Sequence, residues 1–561
     1  MALNIKSFAD QMRPSAKKPA PKPFSKSIFD AGSPQDIPPE NLYLDIQSTI
    51  FGIKRKDEKD LRGIDPNDFA KRWKLYGEPL IPVETVGSLK QEDLLNPLAS
   101  LLRCPERKKE NHKTLLPIVP ALGFYKNISP KLPNFFYDQL CPLFSFYDDL
   151  GFHQRIFNLK KCLSVNQDEQ DSIEHLASSM LTAPSGFDEV TTLHPLHIHN
   201  GPFVRDYSTA APVPMQICQC LTDAIDTLVS MRVSLPKILW SRWMISILRI
   251  GLPLFFLKRC SLASKGSEIL QKTLKTSKVL TSTELSNLLI GSKNILRGSQ
   301  EWLNQLGPLI QGHVRGRFEI SIMLELSNLF EALGEKGLDP SNAAHCSNIK
   351  SELSQYSTTA NPFPDAVGIF RSVKLSMPGD IGGNRLPFNT WLDWLVKNEV
   401  ALNCLARLIG SQDVPDLINK VYDFIRPDYE SLKNTFSKNK HEFVRYNLGA
   451  PRKSDRDPLM PDEYYLLYRG EKGRRSGQTK VHPGPELLKL LVQIVSFQAK
   501  ENHKTTAKLG NLLDLFDDLG VDFRSNPNDF EIFKEQLLKI GLLHSSADAA
   551  EAASLKPLYS F

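Results

Sequence analysis

Three groups of residues carry the side chains from which chemistry is built. His194, His197 and His199 lie within LHPLHIHN, and Asp188 and Glu189 precede them. An HxH pair in extended backbone puts both imidazoles on one face, as a metal site of a hydrolase requires. The Pro and Asn neighbours equally describe an ordinary irregular loop. Glu399 and His441 form a second pair, because a Glu beside a His can exchange a proton. Two packed helices joined by the same pair would use it structurally.

The third group is electrostatic. Residues 431–480 hold twelve Lys/Arg against six Asp/Glu, an excess equal to the formal charge of +6 on all 561 residues. Lys438, Lys440, Arg445, Arg452, Lys453, Arg456, Arg469, Lys472, Arg474, Arg475 and Lys480 are the candidate DNA contacts within it. Tyr446, Tyr464, Tyr465 and Tyr468 are interleaved. Cations displace the condensed counterions of a polyanion, and aromatic rings offer stacking surfaces to bases and sugars. A charge run is also what a solvated linker between helical parts looks like.

Motifs for other chemistries are absent. The sequence has no GxxxxGK[ST], HExxH or GxSxG, no kinase signature and no paired CxxC. It calls for no cofactor, and the balance favours a protein that is not an enzyme. The eight cysteines are scattered, which together with the lack of a secretory leader pattern fits a reduced, cytoplasmic protein. Ile238–Leu257 is the most apolar stretch, but Arg242, Arg249 and Pro253 interrupt it. A central arginine costs about 2.5–3.5 kcal/mol on insertion, so a buried helix is expected and no membrane insertion.

Periodicity predicts the elements that must position these groups. The fold class is mainly α, a multi-domain helical protein with a small C-terminal helical, winged-helix-like module. Residues 1–40 are rich in Pro, Lys and Ser and read as a disordered basic, Pro-rich arm, with Leu3, Ile5 and Phe8 at its start able to form a short docking element. Residues 41–350 form a helical core domain, with apolar periodicity over 134–163, 215–233, 236–257, 281–297 and 315–334. Loop-like residues 351–388 follow. Residues 389–480 combine amphipathic helices with the basic stretch. One helix over 389–409 carries Trp391, Trp394, Leu395, Leu402, Leu405 and Ile409 on a single stripe, and a second covers about 414–440. Residues 481–561 form the C-terminal module, with helices over Pro485–Lys500, Thr506–Leu519 and Asn528–Leu542 and an extended end, Ser546–Tyr559. Its third helix offers only Lys534 and Lys539 against Asp529, Glu531 and Glu535, which suits docking to protein rather than reading DNA.

A mostly helical chain with Glu399 and His441 in its last third, flanked by Trp391, Trp394 and Arg445, resembles the EH-signature proteins. These include the third component of the Zorya anti-phage defence system. Gly541–Tyr559 is similar to tails of accessory proteins in Druantia and phosphorothioate-linked restriction systems. The resemblance implies a cytosolic bacterial DNA-binding factor of an antiviral defence system, working beside a helicase or nuclease. The expected function is sequence-nonspecific binding of duplex DNA backbone. The alternatives are a metal-dependent hydrolase at His194, His197 and His199, a nuclease-like site at Glu399 and His441, or a protein scaffold that binds no DNA.

Overall fold

A computed structural model describes residues 5–12, 215–235, 237–281, 284–285, 295–298, 302–356, 374–376, 385–424, 443–445, 447–449, 464–469, 479–502, 506–544 and 550–559. Helices dominate these residues, as the periodicity predicts.

Two long helices form the centre. Within the arm expected to be disordered, Ile5–Met12 forms a short helix, α1, because Phe8 and Ala9 are buried in the core; α2 (Met215–Ser230) is the next described helix and leads into α3 (Lys237–Thr276). α4 (Trp302–Glu335) packs along α3. Both long helices extend well beyond the segments whose periodicity marks them. The added turns are polar on their outer faces but are continued by the contact between the helices themselves. That contact is close because α4 presents Gly312 and Gly316 to Ser264 and Ala263 of α3. A Cβ added at Gly316 would sit 2.3 Å from the Ala263 carbonyl oxygen. Ser267 donates to Oε2 of the buried Glu319, and Arg315 Nε donates to its Oε1 at 2.7 Å, so the carboxylate is met from both helices.

The apolar run Ile238–Leu257 is interior helix. Trp240, Trp243 and Phe255–Leu257 are buried, and Arg249 is buried too, reaching the Gly449 carbonyl at 3.4 Å. No described helix is long and apolar enough to cross a membrane.

α5 (Cys346–Tyr356) precedes a short parallel pair, β2 (Lys374–Ser376) with β3 (Arg385–Pro387), inside the region expected to be loop. The single helix expected over 389–409 is two: α6 (Phe388–Lys397) and α7 (Glu399–Ile409). Asn398 breaks them at φ −104, ψ 12, while its side chain donates to the Trp394 carbonyl at 2.8 Å. An Asn side chain that satisfies the preceding carbonyl competes with helix continuation. α7 ends on Gly410 at φ +109, a conformation glycine alone adopts without strain. A further helix, α8, covers 414–424.

Helical periodicity also predicts a helix over 281–297; residues 284–285 are helical, 286–294 lie outside the described residues, and at the end of the segment the structure differs. Leu296–Arg297 is a strand, β1, paired in parallel with β6 (Val521–Asp522). The carbonyl of Gly520 accepts from the N–H groups of both Ile295 and Leu296. A sheet edge more than two hundred residues away in sequence thus overrides the local pattern.

Beyond β4 (Leu467–Arg469) and β5 (Thr479–Val481), the C-terminal region has α9 (Pro485–Glu501), α10 (Leu509–Leu519), β6 and α11 (Pro527–Lys539). Local signals set its boundaries. Pro485 and Pro527 stand at helix starts, Asn526 caps α11 by accepting from Asn528 N at 3.0 Å, and Gly520 ends α10 at φ +89. Residues 553–556 run between 507–508 and 542–544, bonded to both through Leu555 N to Ala507 O and Lys556 N to Leu542 O. Three helices thus alternate with short extended pieces, of which β6 pairs with β1 and the others form isolated bridges at 508, 543 and 554–555. α9 and α10 pack on α2, and their apolar residues belong to the same contiguous core as the long helices.

Candidate nucleic-acid interface

The basic region 431–480 is partly core. Phe443, Val444, Leu448, Tyr464, Leu466 and Leu467 are buried. Two turns of helical backbone, at 443–445 and 447–448, bring Leu448 and Gly449 beside β4. Leu466 N donates to the Leu448 carbonyl at 2.8 Å, and Gly449 bridges Leu467 in parallel. β4 in turn pairs antiparallel with β5, placing Leu467 opposite Val481, Tyr468 opposite Lys480 and Arg469 opposite Thr479. His482 N and Gly484 N close the end of this small sheet on the carbonyls of Leu466 and Tyr465.

This sheet holds both ends of two basic segments. Residues 450–463, with Arg452, Lys453 and Arg456, connect Gly449 to Tyr464. Residues 470–478, with Lys472, Arg474 and Arg475, connect β4 to β5. The segments themselves lie outside the described residues, as do Lys438 and Lys440. Lys480 is exposed on β5, and Arg469 lies in the backbone of β4 opposite Thr479. Arg445 is half-buried in the turn that supports the sheet, and its carbonyl accepts from Gly449 N at 2.9 Å.

Of the interleaved tyrosines, Tyr446 lies outside the described residues, and the other three are packed to different degrees. Tyr464 is 2% exposed, and its hydroxyl accepts a hydrogen bond from Trp243 Nε1 at 3.1 Å. Tyr465 and Tyr468 are half-buried, with ring centroids 5.7 Å apart, and Tyr468 meets the edge of His482 at 5.9 Å. Burial holds the His482 imidazolium below its usual pKa, so this ring adds no charge to the face at neutral pH. Packing has taken the Tyr464 ring into the core and covers part of Tyr465 and Tyr468, while Lys480 stays in solvent.

The other candidates fare differently. Glu399 is half-buried at the first turn of α7, where a carboxylate complements the helix dipole. His441 lies outside the described residues, so no Glu399–His441 contact is on view. The flanking tryptophans are packing residues: Trp391 is fully buried with Nε1 donating to Ser327 Oγ at 3.2 Å, and Trp394 meets Phe330 edge-on at 5.5 Å. His194, His197 and His199 also fall outside the described residues. Among the described residues no group of His, Cys, Asp and Glu is placed to hold a metal ion. Cys218 and Cys220 lie in α2, and burial, the larger effect in each case, raises both thiols well above their usual pKa, leaving them unreactive.

Several structural anchors carry no local signal. Trp243 and Lys258 are unremarked positions of a long apolar helix, and Arg524 is one arginine in a turn. Gln493 was legible in principle, as a lone amide within the apolar run LLVQIVSF.

Comparison of the chain with family models, with curated proteins and with solved structures finds no match. The resemblance to EH-signature proteins therefore stands on Glu399, His441 and their neighbours alone.

Proposed function

We propose that this chain is a sequence-nonspecific DNA-binding accessory factor of a bacterial antiviral defence system. Its partners are the duplex backbone and a helicase or nuclease of the same system. The observation that carries the reading is the small sheet of Gly449, β4 and β5. It gathers the ends of two basic segments at one place and roots them in the core through Tyr464 and Trp243. Arg452, Lys453, Arg456, Lys472, Arg474, Arg475 and Lys480 are the residues assigned to phosphate contact. Contacts of this kind are tolerant of sequence and weaken steeply with salt.

The C-terminal module has a different role in this reading. The outer side of α11 exposes Glu531 and Glu535, with Ile532 at 47% and Leu538 at 38% exposure. A recognition helix facing phosphate needs cations, so this face suits a protein partner.

A duplex-DNA titration at two salt concentrations tests the proposal. Arg474→Glu with Arg475→Glu is expected to weaken binding at least tenfold and to flatten the log–log salt slope by about 2. Unchanged affinity in the double variant overturns the assignment.

A further inference from the structure

The register of β4 against β5 sorts their side chains onto two faces. Leu467 stands opposite Val481, and Tyr468 opposite Lys480. Directly opposed residues point to the same side of a sheet, and successive residues along a strand alternate. Leu467 and Val481 are buried and fix the inner face, so Tyr468 and Lys480 share the outer one. There Lys480 is exposed and Tyr468 half-buried. Tyr465 adds a second half-buried ring, its centroid 5.7 Å from that of Tyr468 and its plane inclined by 33°. His482 meets Tyr468 at 5.9 Å with planes at 61°, and burial keeps its imidazole neutral. Three uncharged rings thus cluster beside one ammonium group.

A duplex backbone has no use for such rings. Its bases are stacked inside, and cations alone meet its phosphates. An unpaired strand offers base faces as well as phosphates, and sites that take it set aromatic rings beside cations. The inner side of the hairpin is already filled by Leu467 and Val481, so the rings are not needed to form it. The basic excess of residues 431–480 attracts either form of nucleic acid, and the rings favour the unpaired one.

We propose that the outer face of β4–β5 is a stacking site for unpaired bases of a single nucleic-acid strand. Tyr468 is the platform, and Lys480 meets a neighbouring phosphate. The inference rests on the reading of this sheet as a nucleic-acid interface and adds a ligand class to it.

Anisotropy titrations of the full chain use two probes, an oligothymidine of about 12 nucleotides and a duplex of about 12 base pairs. Tyr468→Leu keeps apolar bulk on the sheet and removes the ring. It is expected to weaken oligothymidine binding at least about fivefold and to leave duplex affinity within about twofold, whereas Tyr468→Phe retains both. Unchanged oligothymidine affinity in Tyr468→Leu, or an equal loss for both probes, overturns the stacking site and leaves the duplex interface standing. An unchanged chain that binds neither probe overturns both readings. Photocrosslinking of the unchanged chain is independent of any variant's folding. An oligonucleotide carrying 5-iodouracil is expected to link to Tyr465, Tyr468 or His482 on irradiation. Crosslinks confined to other residues overturn the proposal.

Discussion

Trp243 Nε1 donates a 3.1 Å hydrogen bond to the hydroxyl of Tyr464, across 221 residues of sequence. Both side chains are buried. The bond joins the central helix α3 to the segment that leads into β4 of the β4–β5 hairpin. A residue type that the sequence offers for stacking on DNA thus serves as the foot of the sheet from which the basic segments depart. Tyr464→Phe removes the acceptor and leaves a buried indole N–H unmet, at a cost of about 1–2 kcal/mol. A urea titration measures it. The DNA salt slope is expected to stay unchanged, because no cation is lost.

Arg524 ties α10 to the residues that follow β6 and to Glu551. Its guanidinium donates to Asp517 at 2.5 Å, to Glu551 at 3.0 Å and to the Gly510 carbonyl at 3.0 Å, and it lies 2.9 Å from Asp514. Burial opposes its charge, but the hydrogen bonds it donates to Glu551, Asp514 and Asp517 outweigh that and raise its pKa. Asp514 is solvent-exposed and adds little. Arg524→Ala is expected to destabilise the protein by about 2 kcal/mol, and Arg524→Lys to recover less than half, lacking the planar fork. Thermal unfolding at low and high salt measures both.

The crossing of α3 and α4 makes a sharp contrast between two glycines of one helix. Gly316→Ala would drive a Cβ against the Ala263 backbone and is expected to cost about 2–3 kcal/mol. Gly334 has nothing within 4 Å of an added Cβ. Gly334→Ala is expected to stabilise by about 0.5–1 kcal/mol through helix propensity. Urea midpoints of the two variants are expected to move in opposite directions.

Lys258 is buried in α3, and burial pushes its pKa down to about 8, with Asp518 opposing the shift. The unfolded chain then holds a proton on this lysine that the folded chain has lost, between about pH 8 and the ordinary lysine pKa of about 10.4. Stability contributed by Lys258 therefore rises with pH across that window. Cys218 and Cys220, whose thiols burial raises, act in the opposite sense over the same range. Subtracting the stability of Lys258→Met from that of the unchanged chain isolates the lysine. The difference is expected to climb from pH 8 to pH 10 and to be flat below pH 7.5. A flat difference throughout would place the lysine in solvent.

The helices were legible because their signals are local. Apolar spacing marks α2, α3, α4, α9, α10 and α11, and Pro485, Pro527, Asn526, Gly410 and Gly520 act on their own backbone or on that of the next few residues. The excess of lysine and arginine over 431–480 is likewise a property of composition, and no fold can remove it. The three helices α9, α10 and α11 were readable for the same reason, whereas β6 and the bridges at 508 and 543 were not.

What the tertiary structure decided depends on groups far apart in the chain. Leu296 sits in a strand because Gly520 offers a carbonyl to it. Asn398 splits a helix whose apolar stripe runs on unbroken through it. Tyr464 is interior because Trp243 meets its hydroxyl, and the long helices approach closely because glycine lies where Ala263 passes. Periodicity reports which face of an element seeks burial, but the partner that buries it is chosen only when the whole chain packs. Packing therefore roots this small sheet in the core, with the Tyr464 ring inside and Lys480 in solvent.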